Sequence, residues 1–180
     1  IFPYTEEGSL IELAVMQREY PGTYAYLCAC YDLLVPKCLN HGVGRDIKNA
    51  TEKNWYQYGR AQALTAFVHT PKLIVRVLSR RPMYAYDTQD MLIASGGTAG
   101  YCAIAAPKGC KYDLSYIQAW LNHPYTEQLL STMGSDFEGG YTARGTYLLK
   151  KIPFFFLDFE KEEQKAAHDA VVSYARQIYA

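Results

Sequence analysis

The sequence has 180 residues, 49% of them apolar, and its 18 basic and 18 acidic side chains give a formal net charge of zero. Such a chain can bury a sizeable core without disulfides or a structural metal, and no apolar run reaches the roughly 18 residues of a membrane-spanning helix. The five cysteines are odd in number and lack the paired spacing of a zinc site, so we expect free thiols, packed as small core residues, in a reducing cytoplasm.

The chain opens with helical segments. It begins Ile-Phe-Pro-Tyr, without an initiator Met or the charged-then-apolar pattern of a signal peptide, so we expect a piece of a longer protein. Residues 8–39 carry apolar side chains at helical spacing, and Tyr20-Pro21-Gly22 predicts a break between two helices. Residues 1–39 are therefore predicted to form a helical prelude that links this chain to another domain.

Positive charge is concentrated in residues 37–81. This segment holds nine bases against two acids, a net charge of +7, whereas residues 1–36 carry −4 and residues 82–180 carry −3. A quarter of the chain thus contains half of its basic side chains, as expected of a surface that faces phosphate groups. The alternative is a solvated face whose charge is balanced by acids from elsewhere in the fold.

Within this basic segment, the stretch 55–62 (Trp-Tyr-Gln-Tyr-Gly-Arg-Ala-Gln) places a guanidinium and an amide two residues apart, beside a glycine that permits a tight turn. Arg forms two hydrogen bonds with guanine and Gln forms two with adenine, so Arg60 and Gln62 are candidate base contacts. For Arg60 the alternative is an ion pair with an internal carboxylate. Trp55 and Tyr58 are predicted to be core residues.

The next part of the chain predicts a sheet. A β-branched run over 72–78 predicts a central strand, and shorter strands are expected at 83–87, 91–94 and 101–105. Arg80 and Arg81 lie in a turn between strands, where they are candidate phosphate contacts or, alternatively, solvated turn residues. The loop 95–100 lacks the Lys-Ser or Lys-Thr of a phosphate-binding loop, and we expect Thr98 within it to contact DNA.

The remainder predicts helices and loops. Asp113 is expected to cap a helix that ends near Asn122, before Pro124. A glycine-rich loop is expected at 134–145, and Pro153 predicts extended backbone over 146–154 because proline disfavours helix in the residue before it. Two further helices are expected, one over about 126–132 and one over 160–179 with the apolar stripe Ala167, Val171, Ala175 and Ile178.

The irregular alternation of strands and helices predicts an α+β (mixed α/β) fold, with a curved mixed β-sheet flanked by helices. We divide the chain into the helical prelude 1–39, a core over 40–159 and a C-terminal amphipathic helix over 160–180.

Three more residues complete the candidate contacts. Tyr141 and Arg144 combine an aromatic ring and a cation on glycine-rich backbone suited to following a DNA groove, and Arg144 is a further candidate for a base edge. Lys111 is the third of these candidates, and it is basic. The alternative for 139–145 is an ordinary glycine-rich loop.

Catalytic motifs are absent from the sequence. The four histidines are scattered, and there is no His-Glu-x-x-His helix, Cys-x-x-Cys pair, Gly-x-Ser-x-Gly elbow or dinucleotide fingerprint. Asp158 with Glu163 and Lys165 faintly resembles a nuclease pattern, but a two-residue spacing on a helix directs Glu163 and Lys165 to different faces. We therefore expect no catalytic, cofactor-binding or metal-binding residues in this chain.

The order of landmarks resembles the TaqI-like C-terminal specificity domain of adenine-N6 DNA methyltransferases, including the fused type IIG methylase-restriction enzymes. The resemblance covers nearly the whole chain, and the order of its motifs is more specific than any one of them. The landmarks are Tyr20-Pro21, Trp55-Tyr56-x-Tyr58-Gly59-Arg60-x-Gln62, Pro71-Lys72-Leu73-Ile74-Val75, Tyr84-Ala85-Tyr86-Asp87, Gly96-Gly97, Tyr112-Asp113-Leu114, Trp120-Leu121-Asn122, Gly139-Gly140-Tyr141 and Lys151-Ile152-Pro153.

The resemblance implies that residues 40–159 form a target-recognition core, which grips double-stranded DNA opposite the methyltransferase domain of the same parent chain. That catalytic domain binds S-adenosylmethionine and flips the adenine. Its Asn-Pro-Pro-Tyr-type motif is missing here, since the sequence has no Pro-Pro pair, so this chain is expected neither to bind the cofactor nor to methylate. Lys72 and Lys151 match landmarks but are interpreted as residues that hold the sheet and the terminal segment.

One rival hypothesis differs in class. The C-terminal helix and the Tyr-rich prelude could instead dock another subunit, which would make the chain a protein-interaction module without independent DNA binding.

Overall fold

The computed structural model describes residues 1–59, 64–93, 100–134 and 139–179. The chain forms two compact units, Ile1–Ala66 and Phe67–Ala180, called unit 1 and unit 2 below. Among the described residues, no helix combines the length and the apolar character needed to cross a membrane.

Unit 1 begins with three short helices, α1 (Leu13–Glu19), α2 (Pro21–Ala29) and α3 (Tyr31–Leu34). Pro21 is the first residue of α2, where the missing backbone N–H breaks no helical hydrogen bond. The same proline cannot continue α1, which ends at Glu19. The predicted break at Tyr20-Pro21-Gly22 is confirmed.

The core of unit 1 joins these helices to the segment that follows them. Met16 and Leu27 are buried in one cluster with Trp55 and Tyr56, so residues 40–59 pack with the helical prelude. The division between the two units follows Ala66 along the chain and lies within the predicted core 40–159. The prediction that Trp55 is a core residue is confirmed.

Unit 2 is built on two small sheets. β1 lies between β3 and β4, as the prediction of a central strand required, and β2 pairs with β5 in the second sheet. The strands are β1 (Lys72–Arg76), β2 (Leu78–Ser79), β3 (Tyr84–Tyr86), β4 (Tyr101–Ala105) and β5 (Thr142–Ala143).

These strands pair only in the antiparallel sense, which corrects the expected mixed sheet. A parallel partner needs a crossover of about a dozen or more residues, and the segment 77–83 between β1 and β3 is too short to supply one. The α+β class itself is confirmed.

Unit 2 contains four helices in its described part, of which α4 and α5 pack against strands and α7 packs against α4. The Asp113 carboxylate caps α4 as predicted, because its Oδ1 accepts a hydrogen bond from the Ser115 N–H at 2.8 Å. The core between helices and sheet includes Leu73, Val75 and Leu130. The helices are α4 (Leu114–Asn122), α5 (Pro124–Met133), α6 (Thr146–Leu149) and α7 (Glu162–Ile178).

Two local predictions in unit 2 are wrong. Residues 146–149 form α6 rather than extended chain, because Pro153 restrains only Ile152 before it and the burial of Leu148 favours a helical turn here. The strand expected at 91–94 is not formed by residues 91–93, and Ala94 lies outside the described residues.

The buried face of α7 differs from the expected stripe. His168 and Ala175 are buried, whereas Val171 and Ile178 are 37% and 71% exposed. His168 accepts a hydrogen bond from the Asp113 N–H at 3.2 Å and stacks on Tyr116, which draws this polar face of α7 towards α4.

The cysteines are free, but only one of them is a core residue. Cys102 is buried on β4, Cys30 is half-buried, and the other three are exposed. The expectation that the cysteines serve as small core residues is therefore wrong for most of them, since an apolar side chain of this size is easily tolerated at the surface.

A buried ion pair ties β1 to the chain that follows β3. The Lys72 ammonium is fully buried and lies 2.6 Å from the Asp87 carboxylate and 3.2 Å from that of Asp90. Burial acts to raise the pKa of Asp87, but the Lys72 ammonium and the N–H groups of Gln89 and Met91 outweigh it and hold that pKa below its usual range. Lys72 thus holds the sheet, as interpreted from the sequence.

Candidate nucleic-acid interface

The short sheet β2–β5 brings two predicted contact regions together. Its antiparallel register pairs Leu78 with Ala143 and Ser79 with Thr142, so the chain leaving β2 lies beside the chain entering β5. Arg80 follows β2 and Tyr141 precedes β5, and the Arg80 Cζ lies 5.1 Å from the centre of the Tyr141 ring. We call this surface, with Arg80, Arg81 and Gly139–Tyr141, the recognition corner.

Glycine is required on the β5 side of the recognition corner. Gly139 and Gly140 have φ angles of +81° and +74°, in the left-handed region that side chains with a Cβ disfavour. A Cβ at Gly139 would also lie 3.5 Å from the Arg80 Nη2, which shows how closely this backbone approaches the guanidinium.

Arg144 lies beneath the corner and is fully buried. Its guanidinium forms a two-pronged ion pair with the Glu127 carboxylate of α5. It also donates to the Ser79 carbonyl and hydroxyl, both at 2.8 Å, and to the Thr142 carbonyl at 3.0 Å. These bonds do not support the prediction that Arg144 reaches a base edge, because its donors are occupied inside unit 2; Arg144 holds β2 and β5 together.

The turn after β2 is held by a second polar contact. The Ser79 hydroxyl accepts from Arg144 and donates to the Arg81 carbonyl at 2.7 Å. The backbone of the two exposed arginines is therefore connected to the buried ion pair through a single side chain.

Arg76 is an exposed cation on β1 that was not predicted from the sequence as a DNA contact. Leu73 and Val75 face the core, so the alternation of a strand directs Arg76 to the opposite face. Arg76 is directly opposite Tyr101 of β4, which is 50% exposed. The position of Arg76 next to Val75, on the opposite side of the strand, was the signal that could have identified it.

Arg76, Arg80 and Arg81 are electrostatically uncompensated. All three are exposed, and none lies within ion-pair distance of a carboxylate in the part of the chain that the structure describes. The closest polar contact of the Arg76 guanidinium is the Met83 sulfur at 3.9 Å. Cations in this state retain their attraction for anions from solution.

Lys111 is placed apart from the recognition corner. It follows β4 at the end where Ala105 pairs with Lys72, whereas the corner follows the opposite end of β1. Its ammonium lies 3.1 Å from the Glu160 carboxylate and 5.9 Å from the centre of the Phe159 ring. This surface pair leaves Lys111 partly compensated.

The remaining predicted contacts, Arg60, Gln62 and Thr98, lie outside the described residues, so the structure gives them no position. Over the described ranges, no group of three or more His, Cys, Asp or Glu side chains is arranged to hold a metal ion.

Comparisons with known proteins place the chain near a restriction-modification enzyme. No family model and no solved structure matches it. It is 36% identical, over 187 aligned positions, to the type II restriction enzyme and methyltransferase RM.Eco57I of Escherichia coli. The alignment covers 99% of this chain and 18% of that protein. The predicted relationship to restriction-modification enzymes is thereby confirmed, and the chain is similar to one segment of a type II restriction enzyme and methyltransferase.

Proposed function

We propose that this chain recognises the DNA target of a restriction-modification methyltransferase, and that unit 2 supplies a DNA-binding face. The observation that carries the proposal is a set of exposed arginines that have no carboxylate partner among the described residues. They are Arg76, Arg80 and Arg81, on β1 and the adjoining recognition corner. The similarity to a type II restriction enzyme and methyltransferase gives these cations a polyanionic partner, double-stranded DNA.

The physical basis is neutralisation of phosphates. Each phosphate that a cation neutralises releases condensed counterions, so binding through several exposed arginines should weaken steeply as salt is added. Tyr101 and Tyr141, which lie beside Arg76 and Arg80, add flat apolar surface to the same face. Such contacts set affinity and orientation, while a few contacts to base edges select the sequence.

The type of domain, its individual DNA contacts and its partners are part of the same proposal. The chain acts as a TaqI-like specificity domain, with Arg60 and Gln62 as base contacts and Thr98 and Lys111 as further DNA contacts. Methylation and S-adenosylmethionine belong to a methyltransferase domain of the same parent chain, which is the second partner, and this chain performs no catalysis. We expect the parent protein to act in the cytoplasm, where its DNA substrate is found.

The test is fluorescence anisotropy of a labelled random-sequence duplex against the whole chain at several salt concentrations. We expect salt-dependent binding, and we expect Arg76→Ser and Arg81→Ser each to reduce the slope of log K against log salt by about 0.9 where a phosphate contact is lost. Arg18→Ser is the matched control, since Arg18 is exposed but already paired with Glu19 at 2.8 Å. Equal effects of Arg18→Ser and the other two substitutions on the salt slope would refute the proposed face.

A second role is favoured by α7. Val171, Tyr174 and Ile178 are 37%, 65% and 71% exposed and follow each other at three- and four-residue spacing, which forms an apolar stripe on the outside of the helix. This stripe suits docking of another protein segment. Stable self-association of the chain that Tyr174→Ser abolishes, together with no DNA binding at low salt, would favour this role over DNA recognition.

A further inference from the structure

We propose that Arg80 reads a guanine in the major groove, while its neighbour Arg81 contacts phosphate. The inference rests on the proposed DNA-binding function and assigns different tasks to two adjacent arginines. Both follow β2 and both are exposed, so charge alone does not distinguish them.

The Arg80 side chain is restrained by an aromatic contact. Its guanidinium lies over the Tyr141 ring, with 5.1 Å between the Cζ and the ring centre, and close to the backbone of Gly139. A cation over an aromatic face is attracted to it electrostatically, which limits the freedom of a long side chain before any ligand binds. Little conformational entropy is then lost when the fixed guanidinium forms further bonds.

The N–H groups of Arg80 remain available. They make no hydrogen bond to any residue in the described ranges, and the contact with Tyr141 is one between the cation and the aromatic ring. A planar fork of donors held in place is the geometry that pairs with the O6 and N7 acceptors of guanine, the commonest base-specific contact in the major groove.

Arg81, unlike Arg80, has no contact in the described part of the chain that restrains its side chain. Its carbonyl accepts a hydrogen bond from the Ser79 hydroxyl, so its backbone is held, but its side chain makes no polar or ring contact with the described part of the chain. An unrestrained cation can follow a phosphate over a range of positions, and such contacts carry no sequence information. Arg81 therefore serves as the matched control for Arg80.

Ser79 and Arg144 act as positioning residues. The buried Arg144 bonds both strands of the corner, and Ser79 connects it to the turn that carries Arg80 and Arg81. Ser79→Ala removes this connection but leaves the Arg144–Glu127 ion pair intact. We expect the folded corner to survive this substitution with a less well defined position for Arg80.

The experiment selects preferred duplexes from a random library with the whole chain, and then measures the affinity for the selected duplex and for its single-position variants. Arg80→Ala and Arg80→Lys should each remove the preference for guanine at one position, a loss of roughly 5- to 150-fold in discrimination there. Arg80→Lys should leave the salt dependence unchanged, because the charge is kept. Arg81→Ala should weaken binding to all duplexes equally and lower the salt slope by about 0.9.

Two additional variants test whether Tyr141 and Ser79 position the Arg80 side chain. Tyr141→Leu and Ser79→Ala should reduce discrimination at the same position while binding to random duplex is retained, with Ser131→Ala on α5 as the control. Circular dichroism and thermal unfolding establish that each variant is folded. A merely structural role for Ser79 would lower the melting temperature without changing the discrimination ratio, and that result would remove Ser79 from the positioning set.

The outcomes separate this inference from the proposed function. If Arg80→Ala weakens binding to every duplex equally, Arg80 is a phosphate contact; the inference is then wrong and the DNA-binding function stands. If the whole chain shows no salt-dependent binding to any duplex, the proposed function and the inference are both wrong.

Discussion

Replacement of Glu127 by Met tests the central structural claim, that a buried ion pair fixes the recognition corner. Arg144 is fully buried, and the substitution leaves its charge with three neutral acceptors, on Ser79 and Thr142. Removal of one partner of a buried pair costs about 3–5 kcal/mol. The Glu127 side chain is 23% exposed, so water can partly replace it, and we expect the low end, about 3 kcal/mol.

The assay is urea unfolding followed by tryptophan fluorescence. The chain has two tryptophans, one in each unit, so a Trp55→Phe background leaves Trp120 on α4 as the only reporter and makes the signal specific to unit 2. Glu127→Met, Arg144→Met and the double variant complete a mutant cycle. The double variant should cost no more than Glu127→Met alone, because it leaves no uncompensated charge buried. A cost below about 1 kcal/mol for Glu127→Met, or strict additivity in the cycle, would refute the reasoning.

Three further predictions concern stability. Tyr84→Phe should raise the free energy of unfolding of unit 2 by about 1 kcal/mol, because the buried Tyr84 hydroxyl has no hydrogen-bond partner within the described chain. Gly44→Ala should destabilise unit 1 by about 1–3 kcal/mol, measured by the fluorescence of Trp55, because φ is +126° and the new Cβ would lie 2.3 Å from the Val35 carbonyl oxygen. Asp87→Asn should make the free energy of unfolding of unit 2 less dependent on pH in acid. The pKa of Asp87 is lowered in the folded state, so its ionised form stabilises the fold above the unfolded pKa of about 3.9. That stabilisation is lost as the pH falls through the folded pKa.

Each of the three stability predictions would be contradicted by a specific result. A loss of stability in Tyr84→Phe would mean that the hydroxyl has a partner, and unchanged unfolding of Gly44→Ala would mean that the loop accommodates a side chain. Identical acid unfolding curves for the wild type and Asp87→Asn would show that the ion pair with Lys72 contributes nothing to folding.

Local signals in the sequence were sufficient for most elements of the fold. Pro21 ends one helix and begins another, Asp113 caps α4, and the β-branched run over 72–78 gives the central strand. Each of these depends on a residue and its immediate neighbours, which act through steric restriction or one hydrogen bond. The orientation of α7 was not predictable in this way, because Val171 and Ile178 of the predicted apolar stripe are exposed and the polar His168 is buried.

The recognition corner could be predicted only in its parts. Arg80 and Tyr141 were identified as candidates separately, but the strands that bring them together have two residues each, too short for a period-two pattern to reveal their pairing. The assignment of Arg144 to a base edge failed for the related reason that its partner Glu127 is on a different element. The sequence identifies Arg144 as a cation, but it does not indicate that Glu127 is the carboxylate that pairs with it.

The role of the basic segment 37–81 follows from burial rather than from its net charge. Arg45 uses its donors on the backbone carbonyls of unit 1, and Lys72 is paired within unit 2, so neither is available to a partner. Among the basic side chains that this segment contributes to unit 2, Arg76, Arg80 and Arg81 are exposed and have no carboxylate partner in the described part of the chain. They follow one another along β1 and the turn after β2. A net charge of zero is therefore compatible with a strongly basic local surface, since many of the acids that balance it are on other elements. We therefore expect the salt dependence of DNA binding to decrease when an exposed cation such as Arg76 or Arg81 is replaced, rather than to follow the total number of bases in the segment.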